Sequence, residues 1–70
     1  MTIEEIIEKI PKTVTVKDKE YSLTIHYNKY AKYWDIYYGN PPFEFYECLN
    51  PDLKIGLIML YDNLIKSKVI

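Results

Sequence analysis

Over residues 3–10 the apolar positions are Ile3, Ile6, Ile7 and Ile10, with Glu4, Glu5, Glu8 and Lys9 between them. That spacing gathers the isoleucines on one stripe of a helix. Thr2 followed three residues later by Glu5 is a capping-box pattern, in which each side chain satisfies a free amide at the helix start. Pro11 disfavours helical geometry in the residue before it and ends the helix at Ile10. From Lys12 the period changes to two, and turn-forming clusters appear at KDKE, NKYAK and GNPP. Alternation puts Val14, Val16, Tyr21, Leu23, Ile25, Tyr27, Trp34, Ile36, Tyr38, Phe43 and Phe45 on one face of a sheet. Pairing Val16 with Tyr21, Tyr27 with Trp34, and Tyr38 with Phe43 keeps that set together in an antiparallel meander. The hairpins then close over residues 17–20, 29–32 and 39–42. Asn50, Pro51 and Asp52 predict a second helix start, with Asn50 as the cap and Pro51 at the first helical position. Leu53, Leu57, Leu60, Tyr61 and Leu64 form its apolar stripe, flanked by Ile58 and Ile65, and Lys66 and Lys68 suit its negative pole.

The order is therefore α-β-β-β-β-α: a two-layer α+β domain over residues 1–70 with both helices covering the inward face of the sheet. Thr13, Thr15, Ser22, Thr24, His26, Tyr33, Asp35, Tyr37, Glu44, Tyr46 and Cys48 fall on the other face. That mixture is too polar to bury beneath another layer, so half of the aromatics in YWDIYYGNPPFEFY pack the core and half stand on an open surface. In this register Tyr37 lies between Thr24 and Glu44, and Asp35 between His26 and Tyr46. Tyrosine supplies large contact area at low entropic cost, which makes Tyr33, Asp35, Tyr37, Glu44, Tyr46 and His26 the candidate partner-binding residues. On the second helix Ile55 and Met59 point away from the leucine stripe, either flanking the first helix or forming an apolar patch for self-association.

Seventy residues allow one modest core and leave no room for separate catalytic and binding domains. The net charge is −1 and all nine cations are lysines. Strong non-specific binding to phosphate backbones or anionic membranes needs clustered cations, and bidentate contacts usually need arginine. Cys48 is the one cysteine, so no internal disulfide forms. With an acidic, amphipathic opening segment and no apolar run of membrane-spanning length, the expected location is the cytoplasm.

Catalytic chemistry finds little support. His26 opposite Asp35 has the form of an orienting pair, but neither Ser22 nor Cys48 is placed to act as its nucleophile, so no enzyme activity is expected. One His, one Cys and scattered carboxylates lack the spacing of zinc or calcium sites, and GNPP lacks the glycines and following helix of a phosphate loop. No metal or cofactor is expected. The element order resembles that of double-stranded RNA-binding domains. The basic stretch that opens that family's final helix has no counterpart in NPDLKIGLIML, however, and a strand is added here. The expected function is a small non-enzymatic protein-binding domain, of the kind found among stoichiometric inhibitors, antitoxins and phage anti-defence proteins. Its surface would be the tyrosine and acid face. The alternatives are a single-stranded nucleic-acid module stacking bases on the aromatics and a homo-oligomeric subunit joined through Ile55 and Met59.

Overall fold

The computed structural model describes residues 1–70 and contains α1 (Ile3–Lys9), β1 (Thr13–Val16), β2 (Lys19–Asn28), β3 (Tyr33–Asn40), β4 (Phe43–Asn50) and α2 (Leu53–Lys66). The four strands form one antiparallel sheet in the order β1-β2-β3-β4, with the two helices on one face. The capping box at Thr2 and Glu5 is present in both directions, at 3.1 Å each. Ile10 is extended where Pro11 follows it.

Three sequence-based details shift. The first hairpin closes over two residues, Lys17 and Asp18, with Val16 opposite Lys19 and Val14 opposite Tyr21. Both turn residues have positive φ, 51° and 65°, as the tight turns that match strand twist require, although neither is glycine. The third hairpin closes over Pro41 and Pro42, joined by a cis bond, with Asn40 opposite Phe43 and Tyr38 opposite Phe45. Each shift is by two residues along the partner strand, so the inward and outward sets near both turns stay on their faces. The middle hairpin has the expected register, Tyr27 opposite Trp34 and Asn28 opposite Tyr33. There the Asn28 carboxamide oxygen accepts from the amides of Tyr30 and Ala31 and fixes the loop. The cap of α2 also moves by two residues. Asp52 accepts from the Ile55 amide, and Asn50 accepts from the Asp52 amide one step before the helix.

The core consists of Ile6 and Ile10, Val14, Ile36, Tyr38, Cys48, and Leu57, Leu60 and Leu64 of α2. Gly56 lets α2 approach β3 closely, since a Cβ there would lie 2.9 Å from the Ile36 Cδ1. Tyr38 is fully buried, and its hydroxyl donates to the Pro11 carbonyl at 2.8 Å, tying the end of α1 to the centre of the sheet. Burial pushes that phenol up to about 12. After α2 the Lys68 and Val69 amides bond back to the Ile65 and Leu64 carbonyls around a left-handed Lys68, a Schellman closure that folds Val69 onto the core. The aromatics at the ends of the inner face reach past the helices: Tyr27 remains 44 % exposed and Phe43 64 %.

Gly39 has a φ of +105° and a Cβ there would sit 2.2 Å from the Phe43 carbonyl oxygen. Gly39→Ala is therefore expected to destabilise the fold by about 2–4 kcal/mol, measured by urea unfolding.

Candidate functional site: a carboxylate cluster at a bulge

The outer sheet face carries no covering layer, because both helices pack on the other side. Its centre is set by an irregularity in β4. Tyr38 pairs with Phe45 but Ile36 pairs with Cys48, so Tyr37 of β3 faces two residues, Tyr46 and Glu47. This is a β-bulge, and Tyr46 adopts φ +58° within it.

The extra residue exchanges the faces of the rest of β4. Tyr46 leaves the outer surface and packs on the core, its ring edge-on to Tyr38 at a centroid distance of 6.3 Å. Cys48 follows it inward beside Ile36 and is buried, and burial pushes its thiol up. Glu47 and Leu49 take the outward places. The expected positions of Tyr46 and Cys48 on the outer face are thus corrected. So are two neighbours on β4: Asp35 lies opposite Leu49 rather than Tyr46, and Tyr37 faces Tyr46 and Glu47 while Glu44 pairs with Gly39. No glycine marks the bulge; a left-handed tyrosine offers no signal in a sequence read by alternation.

On β2 and β3 the expected neighbours hold, Thr24 opposite Tyr37 and His26 opposite Asp35. His26 and Asp35 nevertheless form no ion pair; the one ion pair in the structure is Lys66 with Asp62 on α2. Asp35 turns to other partners. Oxygen atoms of Asp35, Glu44 and Glu47 lie within 4.8 Å of one another. Glu47 is thereby pushed up to about 7, first by a hydrogen bond shared with Glu44, then by burial, a hydrogen bond with Asp35 and the charges of both acids. Protonating one of three crowded carboxyl groups relieves part of their repulsion. The Asp35 Oδ1 is itself buried without a hydrogen-bond partner. The same three residues offer oxygen donors of the kind that hard cations take.

Tyr37 is the hub of this cluster. It is only 7 % exposed although no helix covers it, and its phenol is raised by burial and by the charges of Asp35, Glu44 and Glu47. Tyr33 is half-buried, and His26, opposite Asp35, is exposed. Ile55 and Met59 are about half exposed on α2, together with Ile58 and Ile65. Comparison of the chain with protein-family models, with curated proteins and with solved structures finds no match. No helix is long and apolar enough to cross a membrane.

The raised Glu47 carboxyl has a definite sign in stability. Its folded value of about 7 exceeds the ordinary 4.5, so the folded state binds more protons between those values. Its contribution is complete below the lower value and is lost as pH rises through the higher one. Glu47→Gln is expected to melt close to wild type in acid and above it in mild base, with the gap opening between about pH 5 and pH 8 in thermal melts.

Proposed function

We propose that the chain is a non-enzymatic protein-binding domain that presents Asp35, Glu44 and Glu47, beside Tyr33 and Tyr37, to a basic surface of another protein. The observation that carries this reading is the convergence of three carboxyl groups on a sheet face that no other layer covers. Holding them together without a cation raises Glu47, and a partner's lysine or arginine placed among them would relieve the crowding with charge-assisted hydrogen bonds. The cluster repels phosphate, so the partner surfaces it suits include those that themselves bind nucleic acid. This is the working mode of a stoichiometric inhibitor or antitoxin-like protein, and a phage anti-defence role is one setting for it. A cytoplasmic setting is part of the proposal.

The geometry gives less support to base stacking, because Tyr46 has turned inward and Tyr37 is nearly buried, leaving Tyr33 as the remaining tyrosine of the expected platform. Catalysis has equally little to work with: His26 lacks its carboxylate, and the buried Cys48 thiol lies on the opposite face. A second reading, a homo-oligomeric subunit, is favoured by one observation, the exposure of Ile55, Ile58, Met59 and Ile65 along α2.

A tagged pull-down from host lysate, with and without nuclease, compares wild type with Glu44→Gln/Glu47→Gln. A nuclease-resistant protein partner that is lost in the variant is the expected result. Its affinity is expected to strengthen as pH rises through about 7, since binding takes the deprotonated cluster. Recovery of nucleic acid alone, or a partner retained equally by the variant, overturns the reading. For the second reading, sedimentation is expected to show mass rising with concentration and reverting to monomer in Ile55→Lys/Met59→Lys.

A further inference from the structure

β1 has four residues and pairs with only Lys19, Glu20, Tyr21 and Ser22 of the ten-residue β2. The last bond along that side runs from the Leu23 amide to the Lys12 carbonyl at 2.9 Å. Amide groups alternate sides along a strand. Ile25 and Tyr27 therefore direct N–H and C=O to the same side as Leu23, where β1 has ended, while Thr24, His26 and Asn28 direct theirs to β3. Neither the Ile25 nor the Tyr27 amide takes part in the turn and loop bonds. The result is an open edge from Thr24 to Asn28, about 13 Å long at strand spacing.

Sheets commonly guard such edges with prolines, bulges or charges. The opposite edge is guarded in this way, since β4 follows Pro42 and is broken by the bulge at Tyr46. The β2 segment LTIHYN carries no proline, glycine, bulge or fixed charge. Its two ends are cationic, with exposed Lys12 beside Leu23 and exposed Lys29 following Asn28, whereas Asp35, Glu44 and Glu47 belong to β3 and β4. At the Asn28 end a shallow cavity of about 230 Å³ is lined by His26, Tyr27, Asn28, Lys29 and Tyr30. On the inner face the exposed Tyr27 ring leans on Trp34 at a centroid distance of 5.0 Å, beyond the reach of the helices.

We propose that the Thr24 to Asn28 edge of β2 accepts an extended segment of another protein as an added strand in the lane that β1 vacates. The segment carries apolar side chains over Ile25 and Tyr27 and acidic residues at its ends, beside Lys12 and Lys29. Backbone bonds to Ile25 and Tyr27 give the affinity, and the two lysines select the sequence. A second copy of this chain fits less well. Apposing two β2 edges antiparallel sets Lys29 of one copy beside Lys12 of the other and drives the Asn28 end against the other copy's approach to β1. This surface is separate from the carboxylate cluster and does not depend on it.

The probe is the capped peptide Asp-Glu-Thr-Val-Thr-Val-Thr-Glu-Asp, titrated into the full chain with ¹⁵N amide spectra and hydrogen exchange, against the same peptide with lysines for the acids. Protection of the Ile25 and Tyr27 amides by the acidic peptide is expected, with binding weakened about tenfold for the lysine peptide. Ile25→Pro removes an edge donor without touching the β2–β3 ladder and is expected to abolish binding. Should that variant fail to fold, Lys12→Glu/Lys29→Glu is expected to reverse the preference between the peptides. Glu44→Gln/Glu47→Gln is expected to bind the acidic peptide as wild type does, which separates this surface from the carboxylate face. Unprotected Ile25 and Tyr27 amides at millimolar peptide, or equal binding of both peptides, overturns the proposal. So does protection of those amides in peptide-free protein that rises with protein concentration, the mark of a second copy on the edge.

Discussion

Tyr37 on β3 meets two residues of β4 where a regular ladder would give it one, and the surplus residue rotates everything that follows it in the strand. The left-handed backbone of Tyr46 costs about 1–2 kcal/mol for a residue other than glycine. Its ring offsets that by packing on the core against Tyr38. The inner face gains an aromatic and a buried cysteine; the outer face gains Glu47. Without that surplus residue, Asp35 and Glu44 would share the surface with a tyrosine. With it they share the surface with a third carboxyl group, and electrostatic tension collects at one spot instead of being spread over the sheet.

The inner layer holds this irregular strand in place. Cys48 and Ile36 sit beneath α2, whose close approach depends on the missing side chain at Gly56, and Tyr38 anchors the sheet to the end of α1 through Pro11. The bulge is therefore clamped from below by the core while its acids face open solvent. The fully buried Tyr38 hydroxyl on the inner side has a carbonyl acceptor.

Most of the architecture was legible because hydrophobic period and turn chemistry agree. The stripes of α1 and α2, the alternation through β1, β2 and β3 and the middle hairpin all follow from residue spacing alone. The tightness of the turns at Lys17 and Pro41 is not written in the sequence, since left-handed lysine, aspartate and a proline pair carry none of the Asn-Gly signal of two-residue loops. Parity of two in each shift kept the faces correct regardless. The bulge changes parity, and that is why alternation assigns Tyr46 and Cys48 to the outer face and leaves Glu47 off it. Asp35, Tyr37 and Glu44 were legible as one surface; their true third partner was hidden by a single backbone conformation. The β2 edge was hidden for a different reason, since it depends on how early β1 ends, and strand ends are weakly written in sequence.

The meander has a kinetic meaning as well as a geometric one. Every strand lies beside its neighbour in the chain, and two of the three hairpins close over two residues. Chain-closure entropy is then incurred over short separations, so the sheet can zip from any of its turns, as low contact order favours. The meeting of α1 with α2 joins the two ends of the chain, and the Tyr38 hydroxyl on the Pro11 carbonyl spans 27 residues. The helical layer thus gathers segments far apart in sequence over a sheet whose strands pair with their chain neighbours.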